Sequence, residues 1–306
     1  MFRFIAIVLL SLLFQSCDDG DIIVTSFNFG DANLALCGGP ETYVFYKINN
    51  DAQESISLQI EAVDSMFIKQ DTLTFILDGN SNFVSYRKYD GPVTSSYFCQ
   101  STPPITPTVT LNYAGDSGTA VLTTTLLLDD NDGVPTVENS VDIMEEGMGD
   151  LDGDGIPNYY DSDDDGDNIP TAVELALDLN EDEDNNPLTT PNDFDDDGIP
   201  NYLDSDDDND GVPTRNEDSD DEGLDPRDDT NNDNVPNYLN SDVTNSFDSE
   251  AYIQHSFDRN SDIQLLLSDL VLTNASETIT QETINMGTID NVVDDTVTFT
   301  PIFTVD

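Results

Sequence analysis

The centre of this chain repeats one motif, which is clearest in two paired blocks. The first block is Asp150-Leu-Asp-Gly-Asp-Gly-Ile-Pro-Asn-Tyr-Tyr-Asp161, followed by Asp163-Asp-Asp-Gly-Asp-Asn-Ile-Pro-Thr-Ala-Val-Glu174. The second block is Asp193-Phe-Asp-Asp-Asp-Gly-Ile-Pro-Asn-Tyr-Leu-Asp204, followed by Asp206-Asp-Asp-Asn-Asp-Gly-Val-Pro-Thr-Arg-Asn-Glu217. In all four copies, acids occupy positions 1, 3, 5 and 12, Gly or Asn occupies position 6, and Pro occupies position 8. These positions decide which fold the middle of the chain can adopt.

Six loops follow this pattern, and we name them loops 1 to 6, starting at residues 128, 150, 163, 193, 206 and 229. Their position-6 residues are 22, 13, 30, 13 and 23 residues apart, and the recurring interval of 13 indicates an internal repeat. A disordered acidic linker is the alternative, but it does not predict Gly, Pro and apolar residues at fixed positions. The position-6 residues, all of types that tolerate positive φ, are Gly133, Gly155, Asn168, Gly198, Gly211 and Asn234.

The alternating carboxylates predict several calcium sites. Ca²⁺ takes about six to eight oxygen ligands, so a site needs several acids on a backbone that curls around one point. Position 7 is expected to offer its backbone carbonyl. The predicted ligands are Asp150, Asp152, Asp154, Ile156, Asn158 and Asp161 in loop 2; Asp163, Asp165, Asp167, Ile169 and Glu174 in loop 3; Asp193, Asp195, Asp197, Ile199, Asn201 and Asp204 in loop 4; and Asp206, Asp208, Asp210, Val212 and Glu217 in loop 5.

The outer loops have fewer acids and predict weaker or partial sites. In loop 1, Leu128 occupies the first position, which leaves Asp130 and Asp132. Loop 6 ends with an amide, Asn240, instead of a closing acid. Its remaining candidate ligands are Asp229, Asn231 and Asp233.

Proline at position 8 distinguishes these loops from EF-hands, which usually carry an apolar residue with a free N–H there. The prolines are Pro157, Pro170, Pro200 and Pro213, and no helical pattern flanks the loops on both sides. Residues 129–242 instead resemble the thrombospondin type 3 repeat family. The resemblance implies an irregular segment with little regular secondary structure, in which bound calcium ions hold the turns. The cysteines typical of that family are missing.

The charge of the chain restricts its partners. There are 64 acidic and 8 basic residues, which give a formal net charge of −56. Residues 129–242 hold 40 of the acids against only Arg215 and Arg227. Such repulsion prevents compaction unless cations neutralise it. It also argues against nucleic acid as a partner, because phosphates require a basic surface.

The N-terminus predicts export and a lipid anchor. Arg3 and the short apolar run after it indicate a signal peptide at residues 1–16 rather than a membrane span. The stretch Gln15-Ser16-Cys17 resembles a bacterial lipoprotein signal, which implies a lipidated Cys17 and an acidic tether at residues 17–21. These features predict an outer-membrane lipoprotein of a Gram-negative bacterium, exposed at the surface. An ordinary secretory peptide with an accidental cysteine is the alternative.

The number of cysteines, three, is consistent with export. If Cys17 carries lipid, Cys37 and Cys99 remain as a pair that can form a disulfide in an oxidising compartment. Two free buried thiols are the alternative.

The flanking segments predict a mostly β protein. In residues 22–128, about seven strand-like runs separated by turn signals predict an immunoglobulin-like β-sandwich. Ile56, Leu58 and Ile60 alternate with polar residues, as in a half-buried strand. Residues 243–306 predict a small C-terminal β segment, which either forms its own sheet or adds strands to the first domain.

The sequence contains no catalytic motif, and we predict that the protein is not an enzyme. Its single histidine, His255, is expected at the surface or in a structural role. The main hypothesis is a calcium-binding surface lipoprotein whose ion-stiffened repeat spaces β-domains for adhesion or envelope architecture. The alternative is a glycan- or protein-binding module in the N-terminal β-domain, for which exposed aromatic residues would be expected among Tyr43, Tyr46, Tyr86, Tyr89 and Tyr97.

Overall fold

The computed structural model describes residues 27, 29–30, 32–134, 149–176, 188, 190–219, 224–247, 249 and 251–302. The predicted signal peptide, the predicted lipidation site Cys17 and the acidic tether lie outside the described residues. The described part of the chain is mostly β, as the sequence predicts. None of its helices is long and apolar enough to span a membrane.

Eight strands form one sheet. Their order is β1-β2-β3-β5-β6-β7-β8, with β4 paired to β6, and the pairs from β1 to β6 along this order are antiparallel. The immunoglobulin-like sandwich is not confirmed by this arrangement. The strands are β1 (Ala35–Gly39), β2 (Thr42–Asn49), β3 (Glu54–Ile60), β4 (Asp71–Ile76), β5 (Phe83–Tyr89), β6 (Val109–Asp129), β7 (His255–Thr273) and β8 (Thr278–Phe299).

The sheet order shows that the C-terminal segment belongs to the same sheet as the N-terminal strands. Strand β7 is the neighbour of β6, and β8 is the neighbour of β7, so this segment extends the sheet of the N-terminal strands. The acidic repeat is therefore a long insertion between two neighbouring strands, β6 and β7. It does not join two separate sheets.

The described residues form two compact units that do not follow chain order. The first unit consists of residues up to Asp64, Thr72–Leu122 and Gln264–Thr288. It has an apolar core in which Phe45, Ile56 and Leu58 are fully buried, as the alternation in β3 predicts. The second unit consists of Ser65–Asp71, Thr123–Ile263 and the residues from Ile289 onward.

Two predictions concern side chains of the first unit. Cys37 and Cys99 lie at disulfide distance, with Cα atoms 5.4 Å apart. The tyrosines proposed as a possible binding surface do not form an exposed face, because four of the five are buried. These four are Tyr43, Tyr46, Tyr86 and Tyr89.

The repeat lies in the second unit and has little regular structure. Its described residues contain one short helix, Thr171–Ala176. Single-turn 3-10 helices begin directly after the position-8 prolines of loops 2, 4, 5 and 6. Apolar residues in the described part of the repeat pack in small clusters, such as Ile169 with Tyr238 and Leu239. The 3-10 helices are Asn158–Tyr160, Asn201–Leu203, Thr214–Asn216 and Asn237–Leu239.

Candidate metal centres

The residue at position 9 closes each of loops 2 to 6. In loop 2, the Asn158 backbone N–H donates to the Gly149 carbonyl at 2.8 Å, and Asn158 Oδ1 accepts from the Leu151 N–H at 3.0 Å. The same pair of hydrogen bonds recurs in the other loops, so the repeat in sequence is also a repeat in structure. The other residues that make both contacts are Thr171, Asn201, Thr214 and Asn237.

The turn at position 6 has the predicted conformation. Gly155, Gly198 and Gly211 have φ of 101°, 98° and 93°, and nothing stands within 4 Å of the place where a Cβ would be. The positive φ, rather than crowding, therefore selects glycine here. Asn168 and Asn234 adopt φ of 74° and 72°, as expected of the best non-glycine substitutes.

In loops 2 and 3, each inward aspartate uses one oxygen to hold the loop backbone. In loop 2, Asp152 Oδ1 accepts from the Asp154 N–H at 3.0 Å, and Asp154 Oδ1 accepts from the Ile156 N–H at 2.7 Å. Loop 3 has the same contacts, from Asp167 N–H to Asp165 Oδ1 at 3.2 Å and from Ile169 N–H to Asp167 Oδ1 at 2.6 Å. The second oxygen of each carboxylate is left for another partner.

These second oxygens are buried and have no hydrogen-bond partner within the protein. Burying a charged oxygen without a partner is costly, so native structures rarely leave one unsatisfied. Glu174 and Glu217 are the clearest cases, because both oxygens of each are unpartnered and the residues are only 3% and 1% exposed. The aspartates with such an oxygen are Asp130, Asp132, Asp152, Asp154, Asp163, Asp164, Asp165, Asp167, Asp195, Asp206, Asp207, Asp208 and Asp210.

The unpartnered carboxylates converge into groups that could hold a metal ion. Within each group, one ligand atom of every member lies within 4.8 Å of the others. The group in loop 3 is completely buried, whereas the groups in loops 2 and 4 are partly exposed. The groups include Asp150, Asp152 and Asp154; Asp163, Asp165 and Asp167; Asp167, Glu174 and Asp207; and Asp193, Asp195 and Asp197.

Burial and mutual repulsion raise the pKa of several acids in loops 2, 3 and 5. Burial is the main cause in each case, and neighbouring carboxylates add to it. It raises the pKa of Asp152 to about 7 and that of Glu217 to about 8. In the centre of loop 3, the pKa of Asp165 and that of Glu174 lie well above their ordinary values. A bound cation would offset the charge repulsion that adds to these shifts.

Loop 6 has the same backbone but different chemistry. The side-chain amides of Asn231 and Asn240 donate to Asp233 Oδ2 at 2.9 and 3.1 Å. The pKa of Asp233 is lowered, mainly by the Val235 N–H. The chain itself therefore closes loop 6 with amide hydrogen bonds, and the weak metal site expected there stays a prediction.

Loop 1 is described only as far as Val134. Asp130 and Asp132 each leave a buried oxygen without a partner, and burial raises their pKa to about 8 and about 6. Both residues therefore resemble inward acids such as Asp152 of loop 2 and Asp208 of loop 5.

The predicted ligands Asn158 and Asn201 have a different role in this structure. Their Oδ1 atoms accept the backbone N–H groups of Leu151 and Phe194, at 3.0 and 2.9 Å. We therefore leave both asparagines out of the ligand set proposed below. The position-7 carbonyls of Ile156, Ile169, Ile199 and Val212 stay predicted ligands.

Sequence reasoning missed Asp164 and Asp207, which occupy position 2 of loops 3 and 5. Both are buried, and each has an unpartnered Oδ1. Position 2 is Leu151 in loop 2 and Phe194 in loop 4, so an acid at this position was the available signal.

His255 was also missed as part of this region. It is fully buried at the start of β7, with Nδ1 2.6 Å from Asp161 Oδ1 and Nε2 3.8 Å from Asp163 Oδ2. Burial lowers the pKa of His255, but contact with Asp161 and the charge of Asp163 raise it by more, so the net shift is upward. The imidazolium can supply positive charge between loops 2 and 3, a role that no local sequence pattern indicates.

The loops thus present converging, buried, mostly oxygen-donor groups, several of which could hold a metal ion. Comparison with known proteins found no matching family, no similar curated protein and no similar solved structure.

Proposed function

We propose that the repeat binds several Ca²⁺ ions and that these ions hold the second unit in its folded form. The observation that carries the proposal is the set of buried carboxylate oxygens without hydrogen-bond partners. In loops 2, 3 and 5, inward aspartates such as Asp165 and Asp208 hold the backbone with one oxygen, while the other oxygen is buried and has no hydrogen-bond partner. Such an arrangement is costly unless a cation fills the centre of the loop.

The donor chemistry favours calcium over other divalent ions. The proposed sites in loops 3 to 5 offer carboxylate and carbonyl oxygens, which suit a hard cation, and no cysteine or histidine. Magnesium is less suitable because it requires a small, regular octahedral site and gives up its water reluctantly. The spread of acids over positions 1, 3, 5 and 12 supports the larger and more flexible coordination of calcium.

The proposed biological role is structural. The small apolar clusters of the repeat support the idea that ions take the place of a core. Because β6 and β7 are neighbours in one sheet, the repeat is better regarded as an ion-dependent insertion than as a spacer between β-domains. We propose a lipid-anchored outer-membrane protein that presents this insertion at the cell surface, for adhesion or for envelope architecture.

A calorimetric titration of the metal-stripped protein tests the proposal. We expect several Ca²⁺ ions to bind, with affinities on the order of 10⁻⁴ to 10⁻³ M that are typical of extracellular modules. Mg²⁺ should compete poorly. Asp165→Asn, at a buried ligand position, should remove one ion, whereas Asp196→Asn, at an exposed position of loop 4, should bind like the wild type. Absence of Ca²⁺ binding by the wild type would refute the proposed function.

A further inference from the structure

Asp207 is held in a fixed orientation at the second position of loop 5. Its backbone N–H donates to Thr214 Oγ1 at 3.2 Å, and the Thr214 hydroxyl donates to Asp207 Oδ2 at 3.2 Å. The residue is 2% exposed, and its other oxygen, Oδ1, has no hydrogen-bond partner. A buried carboxylate with one oxygen fixed and one free is prepared to bind a cation.

The free carboxylate belongs to a group of loop 3, not of loop 5. Asp207 shares a group with Asp167 and Glu174, in which one carboxylate oxygen of each lies within 4.8 Å of the others. Glu174 is the closing acid of loop 3, is 3% exposed, and has both oxygens unpartnered. Asp207 therefore reaches out of its own loop into the neighbouring one.

The chain provides little positive charge to neutralise this group. The repeat has only two basic residues, Arg215 and Arg227, and Arg227 is paired with Asp225 at 2.7 Å. Three buried carboxylates at this separation repel one another strongly in a medium of low dielectric constant. A divalent cation bound between the three carboxylates would compensate this charge.

We propose that Asp207 is a ligand of the ion held by loop 3, so that a single divalent cation joins loop 3 to loop 5. This inference rests on the proposed function and assigns a ligand that the loop pattern does not contain. The ion would link Glu174 to a residue 33 positions later (207 − 174) and so close the segment that carries loop 4 into a ring. It would act as a cross-link between repeats as well as the centre of one loop.

Asp164 repeats this arrangement one step earlier in the chain. It occupies position 2 of loop 3, its N–H donates to Thr171 Oγ1 at 3.1 Å, and its Oδ1 is buried without a partner.

Ion stoichiometry in combined variants tests the assignment. Bound Ca²⁺ is measured by equilibrium dialysis of the full chain, at a free concentration that just saturates the wild type. Asp207→Asn and Glu174→Gln should each lose one ion, through at least a tenfold loss of affinity at one site. Combining Asp207→Asn with Glu174→Gln should still lose only one, whereas combining it with Glu217→Gln should lose two. Loss of two ions in the first combination, or of one in the second, would assign Asp207 to loop 5 and overturn the inference.

Terbium luminescence tests the same point with single substitutions. Tyr238 is buried and packs against Ile169 of loop 3. Its pKa is raised by burial and, after burial, by the charges of Asp207, Glu174 and Asp167. Terbium bound at this group should be excited through Tyr238, so its emission should disappear in Tyr238→Phe. The same emission should disappear in Asp207→Asn, which removes a proposed ligand, and should persist in Glu217→Gln, which alters loop 5. Persistence in Asp207→Asn would overturn the inference. Failure of the wild type to bind any ion would instead refute the proposed function, so the two failures are distinguishable.

Discussion

Without bound cations, the second unit should be more stable in weak acid than at neutral pH. Asp164 and Asp207 determine this expectation, because both are deeply buried in the repeat. Burial, with the charge of Asp132, raises the pKa of Asp164 from 3.8 to about 10. Burial raises the pKa of Asp207 to about 9, although the hydrogen bond from Thr214 opposes the shift. Both groups therefore stay protonated in the ion-free fold at neutral pH, while they ionise in the unfolded chain.

The sign and the size of the effect follow from proton linkage. A folded-state pKa above the unfolded value gives stability that is present below about pH 4 and is lost as the pH rises through the folded pKa. Between pH 5 and pH 7, each group should cost about 2.7 kcal/mol, which is two pH units at about 1.36 kcal/mol each. The two together approach about 5 kcal/mol, and a domain is stable by only about 5–15 kcal/mol. Stripping the ions should therefore unfold most of the second unit at neutral pH.

Urea denaturation of the metal-stripped protein at pH 5, 6 and 7 measures this dependence. Tyrosine fluorescence is the natural signal because the chain has no tryptophan. The transition that moves when Ca²⁺ is added reports the second unit, and its midpoint should fall from pH 5 to pH 7. The variant Asp164→Asn with Asp207→Asn should reduce that fall without abolishing it, because the raised pKa values of Asp165, Glu174 and Glu217 contribute to the same dependence. A midpoint that is constant or rises with pH in the stripped wild type would refute the reasoning.

Three further outcomes are expected. Asp208→Asn should lose one bound Ca²⁺ while Asp233→Asn loses none, because asparagine amides already satisfy Asp233; equal losses by calorimetry would show that the loop register is wrong. Reduction of the Cys37–Cys99 pair should destabilise the first unit by about 4 kcal/mol, from the entropy of the open chain, and leave calcium stoichiometry unchanged; denaturation with and without reductant measures this. Cys17→Ser should release the protein from membranes, since the acidic body is repelled by anionic lipid and offers no second contact; a variant that still pellets with the outer membrane would contradict the lipid anchor.

Local patterns predicted the features that depend on neighbouring residues. The alternation in β3 places Ile56 and Leu58 in the core because side chains on a strand point to opposite faces in turn. The loop register placed Gly155 and Asn168 at positive φ for a similarly local reason. In both cases, residues a few positions apart fix the conformation, so a single sequence is sufficient.

The features that escaped prediction depend on contacts between distant parts of the chain. Asp207 joins acids of loop 3, and His255 contacts Asp161, although neither pair is close in sequence. The pairing of β7 with β6 spans the whole repeat, so periodicity could not choose between a separate sheet and an extended one. The hydrogen bond that Asn158 makes at position 9 is local, yet the sequence did not predict it. An asparagine side chain can either ligate calcium or hold the backbone, and the sequence alone does not distinguish the two roles.

The amide-closed loop 6 has a consequence for how the repeat responds to changes in its surroundings. Its hydrogen bonds involve neutral amide donors and do not depend on an ion, so this loop should keep its shape when calcium is scarce. It also presents Tyr238 and Leu239 to Ile169, which lies in loop 3. When calcium returns, loop 3 can therefore refold against the surface that loop 6 has kept. Refolding of the repeat should begin at this contact.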